Sequence, residues 1–299
     1  MRVAITGSSG LIGTALREAL AARGDEVVRV VRRSSSRAEG QTEVVWNPKA
    51  GAVDTAGLEG TDLVVHLAGE SLMGLWTAGK KREIRESREK GTRTLAQALA
   101  SLQQKPKALL SSSGLGYYGD RPPAVEITEE SGPGDGFLTD VVIAWEAATQ
   151  PAEAAGIRVV HMRQGNVLSP KGGMLPVLTP VFRLGLGATF GSGAQMWPWI
   201  ALDDMIGALL HVYEKTGLSG PVNFTAPQPV TNAEFTRALA ATVGRWALFT
   251  VPAFAARAAP GGMADELLLS GARVVPKRLR ESGYAFRWPE LRPALEAML

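Results

Sequence analysis

Eight residues near the start of the chain, Thr6-Gly7-Ser8-Ser9-Gly10-Leu11-Ile12-Gly13, restrict its possible folds more than any other segment. A short apolar, β-branched run from Arg2 to Thr6 precedes them, and Ile12, Leu16 and Ala19/Leu20 then recur at helical spacing until Gly24-Asp25. Three glycines spaced G-x-x-G-x-x-G at a strand–turn–helix junction have a definite physical use. Gly7 allows the sharp turn off the strand, Gly10 leaves the main chain open to a diphosphate, and Gly13 lets the helix pack closely on the sheet. The helix N-terminus then offers free N–H groups and the positive end of its dipole to the anion. Gly7, Ser9, Gly10, Leu11, Ile12 and Gly13 are therefore candidate dinucleotide contacts.

Strand-like and helix-like stretches alternate beyond this loop. Apolar runs at 27–31, 44–46, 62–67, 108–110 and 157–162 read as buried strands, and 78–102 and 137–155 read as helices. The pattern predicts an α/β protein, a Rossmann-type doubly wound parallel sheet with helices on both faces. After Asn166 the chain becomes rich in Gly and Pro without clear helical period up to Trp199, then turns helical at 202–215, strand-like at 222–225 and mostly helical from 231. The expected division is a dinucleotide-binding domain over 1–168 and a smaller C-terminal substrate lobe over 169–299, with 200–226 returning to the first sheet.

The end of the second strand selects the cofactor. A dinucleotide fold that prefers NAD places an acidic residue there, on the ribose 2′-hydroxyl. This strand ends Val31-Arg32-Arg33-Ser34, while Asp25 and Glu26 lie at its opposite end. Two guanidinium groups suit a 2′-phosphate, so Arg32, Arg33 and Ser34 predict NADP(H). Leu67-Ala68-Gly69-Glu70 ends a later strand and supplies small residues where a dinucleotide would pass.

Composition narrows the chemistry. The 299 residues contain no cysteine, which excludes disulfides, thiolate–metal sites and cysteine nucleophiles. Three dispersed histidines give no metal-ligand spacing, and no metal is expected. The formal charge of +3 comes without a long basic run, so no nucleic-acid partner is expected. No apolar run reaches bilayer length and no signal-peptide pattern opens the chain, so the expectation is a cytoplasmic protein with a small-molecule substrate and no membrane partner.

Several stretches together resemble the extended short-chain dehydrogenase/reductase superfamily, and within it an atypical group of epimerase-family (NAD-dependent epimerase/dehydratase-like) proteins ending in a domain of unknown function. They include Thr6–Gly13, His66–Glu70, Glu83–Arg88, Ser111–Gly119, Gly136–Glu146, Trp199–Asp204 and Arg273–Gly283. The resemblance implies NADP(H) held at the glycine loop and past Leu67–Gly69, with substrate between the sheet and the C-terminal lobe. It also implies a Ser, Tyr and Lys for proton transfer, with Ser113 at the serine position. The other two depart from the pattern. Registering Glu146 with the glutamate that follows the lysine puts Leu138 at the tyrosine and Val142 at the lysine. Tyr117, in the loop after Ser113, is the candidate replacement acid. Two readings remain: an oxidoreductase or nucleotide-sugar-epimerase-like enzyme, and a non-catalytic NADP(H)-binding sensor.

Overall fold

The computed structural model describes residues 1–33, 42–258 and 261–299; Ser34 lies outside them. Its main sheet contains β1 (Arg2–Thr6), β2 (Glu26–Val31), β3 (Thr42–Asn47), β4 (Ala52–Val53), β5 (Leu63–His66), β6 (Ala108–Gly114), β7 (Arg158–Gln164) and β8 (Gly220–Phe224). The spatial order is β8-β7-β6-β5-β1-β2-β3-β4, parallel throughout except for the β3–β4 pair. This is the doubly wound Rossmann-type architecture, and its winding reverses direction at β1. An open parallel sheet leaves a crevice at the carboxyl ends of the strands at that point.

Alternation of side chains along the strands divides the core in two. Val3, Ile5, Leu63, Val65 and Leu110 face one cluster; Ala4, Val64 and Leu109 face the other. Helices α1 (Leu11–Ala22) and α6 (Leu202–Glu214) cover the first face. Helix α2 (Ala78–Ser101) covers the second, with α3 (Phe137–Ala147) and α4 (Gln150–Ala154) packed beside it. Strands buried on both faces account for the nearly continuous apolar runs in the sequence.

Two elements differ from the sequence reading. The expected helix over 137–155 is two helices, separated at Ala148-Thr149, with Pro151 placed in the first turn of α4. There its missing N–H costs no helical hydrogen bond. The segment read as irregular contains helix α5 (Leu175–Arg183), which buries Leu175, Thr179 and Phe182 along one face despite Pro180. With α7 (Asn232–Thr242) and the terminal helix Leu291–Met298 it encloses a separate apolar cluster around Trp197, Trp199 and Phe235. No helix among the described residues is long and apolar enough to cross a membrane.

Asp204 ties this region to α6. Its buried carboxylate accepts from the Tyr284 hydroxyl at 3.1 Å and from the main-chain N–H groups of Arg287 and Trp288, each at 2.8 Å. Asp204 thus clamps a distant loop, because its side chain faces inward. Asp204→Ala would leave the main-chain N–H groups of Arg287 and Trp288 short of their acceptor, while the Tyr284 hydroxyl keeps the Asp204 carbonyl oxygen at 3.1 Å. The expected loss is about 3 kcal/mol or more of folding stability, measurable by urea unfolding.

Candidate functional site

The phosphate loop depends on two missing side chains. A Cβ on Gly13 would collide with the carbonyl oxygen of Gly7, and one on Gly7 would stand 2.9 Å from the Leu67 carbonyl carbon. Gly7 also has φ +65°, the left-handed region that glycine enters freely. The loop is thereby folded tightly against both α1 and the end of β5. Around Gly10 the space is open, its nearest neighbour being the Gly7 carbonyl oxygen at 3.4 Å from a would-be Cβ. No side chain caps α1, so its first N–H groups remain available to a ligand. Ser9 is exposed, and Arg32 and Arg33 stand exposed just beyond β2, without an ion-pair partner among the described residues. These residues fit a dinucleotide diphosphate with an additional phosphate near the second strand.

Beside the loop, Thr6 Oγ1 accepts from the main-chain N–H groups of Leu67 and Ala68 at 3.0 and 3.2 Å. The Glu70 N–H donates to Ser87 Oγ at 3.1 Å, and the Glu70 carboxylate pairs with Lys80 at 2.6 Å. The hydrogen bond from Lys80 holds the Glu70 carboxyl below its ordinary value. His66 is a buried core histidine between Thr6 Oγ1 and Thr92 Oγ1, and burial lowers its pKa to about 4.

A cavity of about 670 Å³ opens between the carboxyl ends of β5 and β6, helix α3 and the segment around Leu267–Ala272. Ser113 lies in its wall. Strand β6 runs further than the sequence suggested, and Ser113 is register partner to Arg163 on β7. Glu146 of α3 spans the two. It accepts from Ser113 Oγ at 2.6 Å and takes a two-pronged contact from Arg163, Nε and Nη2 each at 2.8 Å. Burial works to raise the Glu146 carboxyl, but the Arg163 contacts outweigh it and hold the pKa below 4.5. The chain of contacts continues from Arg163 Nη1 to the Tyr118 hydroxyl at 3.0 Å, and from that hydroxyl to Asn223 Oδ1 at 2.8 Å. Burial pushes Tyr118 up to about 12.

The expected site residues are thus distributed unevenly. Ser113, Leu138, Val142 and Gly69 line the cavity, so apolar side chains occupy the two positions registered with tyrosine and lysine. Tyr117 is not part of the lining; the Arg163 guanidinium carbon lies 3.5 Å from the centre of its ring. Nor is Arg163 itself, which stands behind Ser113, while Asn166 does reach the cavity. Glu129, in a polar stretch of the sequence, is buried and accepts from the Asn223 N–H at 3.0 Å. Neither Glu129's burial nor the partnership of Glu146 with Ser113 has a signal in local sequence, since the partners are distant along the chain. Among the described residues no cluster of His, Cys, Asp and Glu is arranged to hold a metal.

Residues 3–223 match the model of the NAD-dependent epimerase/dehydratase family. The chain belongs to that family. Residues 251–298 match a second model, a domain of unknown function designated DUF1731. An epimerase family protein of Mycobacterium bovis is 44% identical over 98% of this chain and 96% of its own length. The crystal structure of human epimerase family protein SDR39U1 with NADPH superposes with a TM-score of 0.90 at 36% identity, covering 100% of this chain and 99% of the human one. UDP-glucose 4-epimerase of Thermotoga maritima, with UDP-glucose, shares the fold at 19% identity, with a TM-score of 0.78 over 100% of this chain and 97% of its own.

The buried ion pair gives two expected outcomes. Glu146→Ala leaves Arg163 charged and buried without its counter-ion, and should cost about 3–5 kcal/mol in denaturant unfolding at neutral pH. A folded-state pKa below the unfolded value means that Glu146 stabilises fully above pH 4.5 and loses that contribution as pH falls through the lower, folded value. Glu146→Gln should therefore lose less stability than the parent between pH 6 and about pH 3, measured as unfolding midpoints.

Proposed function

We propose that this protein binds NADP(H) and is an oxidoreductase or epimerase-like enzyme that moves hydride between the nicotinamide and a carbonyl or secondary alcohol held in the cavity. The observation that carries the reading is Ser113: a nearly buried hydroxyl in the cavity wall, directed by a carboxylate behind it. Gly7, Gly10, Gly13 and the free start of α1 would hold the diphosphate, and Arg32 and Arg33 the 2′-phosphate. Once bound, the nicotinamide supplies a hydride donor or acceptor. The NADPH in the human relative's crystal structure supports this choice of cofactor.

Ser113 gives its hydrogen to Glu146, which leaves its lone pairs for the substrate. In this state Oγ accepts a hydrogen bond from a substrate hydroxyl and fixes the carbinol carbon. In the oxidation, that carbon would give its hydride to the bound nicotinamide, and as the carbonyl forms the hydroxyl proton would leave its hydrogen bond to Ser113 Oγ for a water molecule; the reduction reverses both transfers. Glu146, kept ionised by Arg163, is a positioning residue: its lowered pKa suits it to orient Ser113 and makes it a weak base.

A second reading, a cofactor-dependent sensor without turnover, draws support from Leu138 and Val142, which leave the cavity without the usual acid and its lysine. Calorimetric titration and a substrate panel separate the two. NADPH should bind at least about tenfold tighter than NADH, and the preference should vanish in the Arg32→Ala, Arg33→Ala double variant. Equal affinities would overturn the cofactor assignment. With a panel of carbonyls and secondary alcohols followed at the nicotinamide absorbance, turnover that falls about tenfold or more in Ser113→Ala supports the enzyme. Tight NADPH binding with no turnover across the panel supports the sensor.

A further inference from the structure

Helix α2 carries a dense run of charges from Lys80 to Lys90, and most of them face solvent. Arg85 and Glu89 pair at 3.4 Å, and Glu86 and Lys90 at 3.0 Å, each one helical turn apart. Arg88 breaks this pattern. It is only 9% exposed and lines the same cavity as Ser113. Its guanidinium carbon lies 5.0 Å from the centre of the Trp145 ring, and its one hydrogen bond among the described residues goes from Nη1 to the Ile84 carbonyl oxygen at 3.1 Å. No carboxylate among the described residues pairs with it. Glu70, the acidic group that acts on it through space, is already bound to Lys80. Burial lowers the Arg88 pKa to about 10, so the group is still a cation at neutral pH.

Trp145 adds a second unanswered donor. It is 7% exposed, it lines the cavity, and its indole N–H, like that of Trp197 in the same wall, is buried with no acceptor among the described residues. The acidic side chains around the cavity do not compensate either donor. Glu266 accepts from the N–H groups of Phe137 and Leu138, Asp265 pairs with Arg257 at 2.7 Å, Asp120 accepts from Gly271, and Asp135 is exposed. A largely buried guanidinium without a counter-ion is costly in a folded protein unless a ligand or solvent supplies acceptors.

We infer that Arg88 and Trp145 form an anion subsite in this cavity, and that the compound oriented by Ser113 carries a carboxylate or phosphate group. A planar guanidinium with free N–H groups matches the paired oxygens of either anion, and the apolar wall from Leu138 to Val142 accommodates the rest of the molecule. Calling that anion a substrate rests on the function proposed above; the subsite itself does not. The other source of the same chemistry is the cofactor diphosphate. Arg88 lies close enough to the Ala68-Gly69 segment that a Cβ on Gly69 would sit 3.6 Å from its guanidinium carbon. The open diphosphate cradle, however, is at Gly10 and the start of α1, and Arg88 lines the cavity instead.

The test uses benzoate and phenyl phosphate as anionic probes and benzamide as the uncharged match, titrated calorimetrically into the full-length protein with and without saturating NADP⁺. At least one anion should bind tenfold or more tightly than benzamide. The preference should disappear in Arg88→Met, return in part in Arg88→Lys, and weaken several-fold in Trp145→Phe, which keeps the ring and removes the N–H. NADPH affinity should change less than threefold in Arg88→Met. Equal binding of anion and amide, no binding of any probe, or a preference that survives Arg88→Met overturns the subsite. A tenfold loss of NADPH affinity in Arg88→Met assigns Arg88 to the cofactor diphosphate and also overturns it. A protein that binds neither nicotinamide cofactor but retains the Arg88-dependent preference refutes the functional reading and upholds the subsite. If Arg88→Met does not fold, the several-fold loss expected for Trp145→Phe decides.

Discussion

Close main-chain packing between the first turn of α1 and the loop that precedes it sets the geometry of everything around it. Gly13 lies against the Gly7 carbonyl, and Gly7 lies against the main chain at Leu67 and Ala68, with no side chain between them. The contact joins β1, α1 and the end of β5 at the point where the sheet changes winding direction. It leaves the N–H groups at the start of α1 facing an open crevice. A methyl group at either glycine would push the helix from the sheet, and both the dipole and the free N–H groups would lose their aim at a bound diphosphate.

A second organising contact lies one strand further along. Arg163 and Glu146 meet in a buried, doubly hydrogen-bonded pair, and Ser113, Tyr118 and Asn223 are arranged around it. Asn223 then reaches Val275 in the C-terminal region, with Nδ2 donating to the carbonyl at 3.1 Å. Ser113 is thus fixed by a polar network that runs from the cavity wall to the C-terminal region. Such a network is stable only when every member is satisfied. Its Arg–Glu pair meets that condition, while Arg88 and Trp145 on the cavity side have donors to spare. The contrast separates groups that hold the wall from groups left for a ligand.

The sequence was most legible where function demands a local pattern. The glycine loop and the apolar strands are contiguous signals, each interpretable from its immediate neighbours. The parallel Rossmann-type sheet follows from their alternation. Tyr117 marks the limit of such reading: its position after Ser113 is legible, but its ring packs on the Arg163 guanidinium and is not among the residues lining the cavity. Glu129 and Arg88 make the same point. Each is a charged residue in a polar stretch that ordinarily faces water, and each is buried by elements distant in the chain.

What the sequence determined by itself is the cradle and its setting: a strand, a bare turn and a helix, and alternating units that lead to a doubly wound sheet. These depend on backbone freedom and hydrophobic period, properties encoded over a few consecutive residues. Only the tertiary structure decided which carboxylate directs Ser113, which cation in the cavity wall has no carboxylate partner among the described residues, and which tyrosine hydroxyl is locked away. Those outcomes depend on register between β6 and β7 and on how α2 and α3 pack together. Pairings between charges dozens of residues apart leave no periodic trace in the chain, because they are set by where the folded elements place them.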